Sequence, residues 1–180
     1  MAQHILFLRH FKTKIDPTIP ARDWQLDQKG QDDMKKMLEE YDFSKISRII
    51  SSPEQKAMVT AKAIAQKFDL EFREEPLVKE VDRTKAGFIE RDYDQAVKDY
   101  LISDNFSYAW EPRSSIQQRI KKALEKISDS DETILVISHG LYLSLMLAPY
   151  FEKDVVSFWK DLGFGQIITV DKKKLQELWN

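Results

Sequence analysis

The sequence predicts an α/β protein: a three-layer sandwich with a mainly parallel central sheet flanked by helices. Two observations carry this. Short apolar, β-rich runs alternate with longer segments that repeat at helical spacing. The runs are apolar throughout rather than alternating with polar residues, as strands covered on both faces are.

His4 to Leu8 is the first such run and stops at a charged turn. Ile15 to Arg22 contains Pro17 and Pro20 and reads as loop. Met34, Met37, Leu38 and Tyr41 recur at helical spacing, so Asp27 to Tyr41 is an amphipathic helix. Ile46 to Ile50 is the second strand. Pro53 stands in the first turn of the next helix, where proline is tolerated, and Ala57, Ala61, Ile64, Ala65 and Phe68 form its inner stripe. Leu70 to Phe72 is a short third strand. Glu74 to Pro112 is the least regular stretch, with one helix at Asp92 to Leu101, and is read as a cap-like excursion within a single domain spanning 1–180. Arg113 to Ile127 is a helix with Ile116, Ile120, Ala123, Leu124 and Ile127 inside. Thr133 to Ile137 is a buried strand and Leu141 to Leu147 a buried helix. Gln166 to Val170 is the last strand, followed by a short polar tail.

Composition narrows the function. A chain of 180 residues with 42% hydrophobic and 32% charged residues suits one soluble globular domain. The formal net charge of −2 argues against a nucleic-acid footprint or a polybasic membrane anchor. No apolar run approaches the ~20 residues of a membrane span, and the N-terminus has no basic region leading into an apolar run. The expectation is a cytoplasmic protein. Cysteine is absent, so disulfides, thiolate metal sites and cysteine nucleophiles are excluded. The three histidines, His4, His10 and His139, show no HExxH or HxH spacing, so no metal site is expected.

In open α/β sheets, ligands bind beyond the carboxyl ends of the strands. The first strand ends in Arg9-His10, the second in Ser51-Ser52-Pro53 and the fourth in Ser138-His139-Gly140. If those strands are neighbours, two imidazoles, one guanidinium and several hydroxyls converge on one edge. Guanidinium presents a planar fork that matches phosphate oxygens. Neutral imidazole is a nucleophile at physiological pH, and amides at the start of the helices after Pro53 and His139 add positive potential. A single histidine at a strand end is more often a hydrogen-bonded structural residue; His4, at the opposite end of its strand, is read that way. Ser51 and Ser52 are ordinary helix-capping types. A serine hydrolase would want GxSxG, which is lacking.

Four blocks in order give these residues a family resemblance. Leu8-Arg9-His10 resembles an LRHG signature. Trp24-Gln25-Leu26 with Lys29-Gly30 resembles W-x-L-x-x-x-G, Ser51 to Ala57 with Thr60-Ala61 resembles SSPxxRAxxTA, and Val136 to Gly140 resembles VxSHG. Glu111 and Arg119 resemble the ends of a weaker GESxxxxxxR block. Together they resemble the histidine phosphatase superfamily, which includes cofactor-dependent phosphoglycerate mutase, over most of the chain.

The resemblance implies a phosphoglycerate mutase-like fold and a metal-independent phosphatase with no organic cofactor. His10 would accept the phosphoryl group, Arg9 and His139 would bind its oxygens, and Lys56 would take the place of the second phosphate-binding arginine. The acid of the family's L-x-E segment is best matched by Glu80, with Asp82 second. Two departures stand out: the glycine of RHG is Phe11, and Lys56 keeps a charge but loses the bidentate fork. The expected function is hydrolysis of a phosphate monoester through a phosphohistidine on His10, with a phosphorylated small molecule or phosphoprotein as partner. The alternatives are mutase-type phosphoryl transfer and a non-catalytic phosphate-binding or regulatory module. Lys12, Lys14, Arg22, Arg83 and Lys85 with Phe88, Tyr93, Phe106 and Trp110 are expected to line the entrance. Neither the natural substrate nor the oligomeric state is encoded in these motifs.

Overall fold

A computed structural model describes residues 4–89, 92–103, 108–127 and 132–180. A five-stranded sheet runs through it in the order β3-β2-β4-β1-β5. Strands β1 (His4–Arg9), β2 (Arg48–Ser51), β3 (Glu71–Glu74) and β4 (Ile134–Ser138) are parallel, and β5 (Ile167–Asp171) closes the β1 edge antiparallel. The strand at the centre, β4, is buried at all five positions, which is why its sequence shows no polar alternation.

Successive β1 side chains serve opposite layers, as the strand period of two requires. Ile5 and Phe7 join the larger apolar cluster, formed with α3 (Tyr93–Ile102), α4 (Arg113–Ile127), α5 (Gly140–Leu147) and α6 (Val155–Asp161). Leu6 and Leu8 face the smaller cluster, to which α1 (Gln28–Glu40) and α2 (Gln55–Phe68) contribute. Asp27 caps α1, its carboxylate accepting the Gly30 N–H at 2.6 Å.

Two elements differ from the sequence expectation. The C-terminal segment is not a polar tail but a helix, α7 (Lys172–Trp179). Asp171 caps it by accepting the Lys174 N–H at 2.8 Å, Leu175 is fully buried, and the Trp179 indole N–H reaches the Met146 carbonyl at 3.2 Å. Helix α6 also forms where none is expected, with Asp154 accepting the Ser157 N–H at 2.8 Å. In both cases one aspartate cap satisfies an otherwise orphaned amide, and a few apolar residues anchor a helix whose composition looks like loop. Among the described residues no helix is long and apolar enough to cross a membrane.

Candidate active site

The condition on strand neighbours is met. β4 lies between β2 and β1, so the residues following all three meet at one carboxyl edge. His10 and His139 face each other there with ring centroids 5.0 Å apart. Both are buried, His10 to 6% exposure and His139 completely.

The His10 Nδ1 lies 2.7 Å from the Phe11 carbonyl oxygen. A carbonyl only accepts, so Nδ1 carries the proton and Nε2 keeps its lone pair. The Phe11 departure therefore leaves this backbone contact in place, and the ring is accommodated elsewhere. Gly165, at φ +69°, passes so close that a Cβ there would sit 2.3 Å from the Phe11 ring. The Gly165 N–H in turn donates to the Arg9 carbonyl at 3.0 Å, tying this loop to the end of β1.

Arg9 is closely packed at its guanidinium. The Phe164 ring centroid lies 3.9 Å from its Cζ. A Cβ on Gly140 would lie 3.1 Å from the same Cζ. One Nη donates to the Leu162 carbonyl, while Nε is buried with no partner among the described residues. Burial pushes the Arg9 pKa down, and the nearby Glu80 carboxylate works against that shift.

His139 Nε2 lies 2.7 Å from the Ser52 hydroxyl, and its Nδ1 is buried with no partner among the described residues. Ser52 also accepts the Glu54 N–H at 3.2 Å in a turn ahead of α2; it does not cap the helix, whose N-cap is Glu54 with no side-chain cap bond, and Pro53 lies before the first helical turn. The pKa of each imidazole is held well below the ordinary histidine value. Burial is the main cause for both. The facing His139 and then Lys56 add to it for His10. For His139 the further causes are Lys56, Arg83, Arg9 and Arg119. Both rings are thus neutral at neutral pH.

Glu80 reaches the site through a segment pinned from two sides. Ser138 donates from its hydroxyl to the Val78 carbonyl at 2.7 Å. Arg119 donates to the carbonyls of Leu77 and Lys79 at 2.8 and 2.9 Å, and forms a bidentate pair with Glu111 at 2.8 Å for both contacts. The carboxylate of Glu80 accepts the backbone N–H groups of Tyr142 at 2.9 Å and Leu141 at 3.2 Å. Two of the α5 amides expected to face an anion therefore hold this carboxylate instead. Asp82, the second choice for the acid, is drawn into a local turn: it accepts the Thr84 N–H and hydroxyl at 3.0 and 2.7 Å, which lower its pKa.

Lys56 is placed at the site, 5% exposed, but not as a free cation. Its ammonium donates to Glu54 Oε2 at 2.6 Å and to the Ala21 carbonyl at 2.7 Å. Glu54 is the residue that sequence reasoning missed. It stands at a variable position of its motif, and its other partner, the Glu80 N–H at 2.9 Å, is 26 positions away in the chain.

Several residues expected at the entrance contact one another. Arg83 donates to the Tyr93 hydroxyl at 2.5 Å and lies over the Tyr93 and Trp110 rings at 5.3 and 5.4 Å. Burial opposes the Arg83 charge, but Tyr93, Glu80 and Glu54 outweigh it and raise its pKa. Trp24 and Phe88 meet edge-on at 6.2 Å, joining the loop after β1 to the excursion. Lys12 and Arg22 face local carboxylates, Asp27 at 3.6 Å and Asp23 at 3.7 Å. Phe106 lies outside the described residues. Among the described residues no group of three or more His, Cys, Asp or Glu side chains is arranged to hold a metal ion.

A mainly parallel α/β sheet with paired buried imidazoles at its carboxyl edge defines a class of site suited to an oxyanion. The chain belongs to the histidine phosphatase superfamily (branch 1), whose family model matches residues 5–171. Solved structures share the fold. Bacillus stearothermophilus YhfR superposes with a TM-score of 0.74 at 20% identity, over 93% of this chain and 90% of that one. A phosphoserine phosphatase from Entamoeba histolytica, solved in complex with phosphoserine, gives 0.71 at 21% identity, over 93% and 89%. A mycobacterial glucosyl-3-phosphoglycerate phosphatase gives 0.71 at 15% identity, over 93% and 90%. A comparison with curated proteins finds no match.

Proposed function

We propose that the protein hydrolyses phosphate monoesters through a phosphohistidine on His10. The observation that carries this reading is the pair of buried nitrogens with no partner among the described residues, Arg9 Nε and His139 Nδ1, the latter a donor when the Ser52 hydroxyl donates to Nε2, beside an imidazole whose Nε2 lone pair is left free by the Phe11 carbonyl. Buried polar atoms without partners are rare and costly. Phosphoryl oxygens would satisfy both.

In this reading His10 Nε2 attacks phosphorus and the P–O bond to the alcohol breaks. The leaving oxygen takes a proton from Glu80. Water then attacks phosphorus, giving its proton to the Glu80 carboxylate, and the P–N bond breaks to release inorganic phosphate. Arg9 and His139 stabilise the charge that develops on the phosphoryl oxygens, and the buried pocket supplies positioning. The phosphatase names of the structural neighbours support hydrolysis over transfer to a second acceptor. The excursion at 74–112 would serve as a wall for the alcohol portion, with the Arg83–Tyr93 pair as part of it. The substrate class is a phosphorylated small molecule or phosphoprotein handled without metal or organic cofactor, in the cytoplasm.

The test is hydrolysis of p-nitrophenyl phosphate by the purified chain in excess EDTA, with wild type beside His10→Ala and Glu80→Gln. Wild-type activity should survive EDTA. His10→Ala should lose it by ~10³-fold or more, as removal of a nucleophile does. Equal activity in His10→Ala, or loss of wild-type activity in EDTA, would sink the reading.

A further inference from the structure

A carboxylate stands inside the cationic pocket. Glu54, with a side chain 11% exposed, has one oxygen 2.6 Å from the Lys56 ammonium and the other 3.8 Å from His139 Nε2. Lys56 is itself buried, and two of its three donors are used, by Glu54 and by the Ala21 carbonyl. The pair is largely shielded from solvent, so a dianionic phosphoryl group entering beside His10 and His139 meets a like charge and an ammonium already engaged. The same ammonium is among the charges that depress both imidazole pKa values, so it lies within electrostatic reach of the place where the phosphoryl group would sit.

We propose that Glu54 is an internal counter-anion that competes with the phosphoryl group for Lys56 and so weakens the site's hold on oxyanions. The inference rests on the phosphatase reading of the same site. Its consequence is kinetic. A phosphatase must release inorganic phosphate at every turnover, and a pocket that returns Lys56 to Glu54 as phosphate leaves has a built-in route to release. Glu54 acts through Lys56 and not on the reacting atoms. Its second oxygen also holds the Glu80 N–H at 2.9 Å, so one side chain links the cation of the pocket to the backbone of the proposed acid.

Glu54→Gln separates these two tasks. The amide oxygen still accepts the Glu80 N–H, while the charge that engages Lys56 is gone. The experiment is calorimetric titration of the full chain with inorganic phosphate at pH 7.5, for wild type, Glu54→Gln, Lys56→Met and the double variant, each checked for folding by circular dichroism. Glu54→Gln should bind phosphate about tenfold more tightly or better, as release of a close like charge implies, and the gain should vanish in the Lys56→Met background. Unchanged or weaker binding by Glu54→Gln, or a gain that persists without Lys56, would overturn the proposal. Turnover of p-nitrophenyl phosphate by the same samples, with His10→Ala measured beside them, keeps the two readings apart. Turnover with no gain in Glu54→Gln removes only this inference. A Lys56-dependent gain with no His10-dependent turnover leaves the counter-anion in place and removes the phosphatase.

Discussion

Replacing Arg119 with methionine should both destabilise the protein and displace its proposed acid. The Arg119 side chain is 11% exposed and that of its partner Glu111 14%. Its guanidinium makes two contacts to the Glu111 carboxylate at 2.8 Å and donates to the Leu77, Lys79 and Glu80 carbonyls at 2.8, 2.9 and 3.3 Å. Methionine fills similar space and leaves the Glu111 carboxylate with the Asp82 N–H, at 3.2 Å, as its remaining contact from this network. Breaking a buried pair from one side costs about 3–5 kcal/mol. For a chain of this length that lowers the melting temperature by roughly 6–20 °C. The assay is urea denaturation at pH 7.5, with Glu111→Gln and the double variant completing a cycle. The double variant should recover at least ~1.5 kcal/mol, because the stranded charge is removed with its partner. The segment 77–80 should also shift, so kcat should fall further than phosphate affinity in whatever fraction remains folded. A cost below ~1 kcal/mol for Arg119→Met, or no coupling with Glu111, would refute the view that this pair holds the Glu80 segment.

Other substitutions test the remaining parts of the site. Gly165→Ala should cost about 1–3 kcal/mol through overpacking against Phe11 and strain at positive φ, and combining it with Phe11→Ala should show coupling above ~1 kcal/mol in urea midpoints; simple additivity would contradict the contact. Phe164→Leu should lower kcat/KM about three- to thirty-fold by removing the face that orients Arg9, with Phe164→Trp retaining most of it; equal losses in both would argue against stacking. Stability should fall as pH drops below the ordinary histidine value. Burial, aided by the neighbouring positive charges, lowers both folded-state imidazole pKa values, so the unfolded chain binds more protons there. The loss is bounded by about 1.4 kcal/mol per pH unit for each histidine. The Asp16, Asp42 and Asp154 carboxylates, lowered by hydrogen bonds, titrate below that window. Unfolding midpoints that stay level from pH 7 to 5.5 would contradict neutral buried imidazoles.

Much of the sheet was legible in the sequence because parallel strands buried on both faces leave uninterrupted apolar runs, as in Ile134 to Ile137. Helix α4 was read at its observed ends because its inner residues keep helical spacing throughout. Helices α6 and α7 were not, because one aspartate cap and a few apolar residues stabilise each against an otherwise polar or irregular background. The histidines and Arg9 were legible through the carboxyl-edge rule, which needs only the strand ends. Glu80 was harder, since the stretch after Glu74 has no periodicity and its placement depends on Arg119 and Ser138, both far along the chain. The pairing of Lys56 with Glu54 was not legible at all. Two residues apart in a motif, they look like independent surface charges until α2 buries them beside the imidazoles.

The most direct measurement is covalent trapping. The protein is mixed with aryl phosphate, quenched in alkali to preserve the acid-labile P–N bond, and mapped by mass spectrometry. The account predicts a phosphoryl group on His10, absent from His10→Ala and longer-lived in Glu80→Gln. Turnover with phosphate on another residue, or labelling that persists without His10, would contradict it.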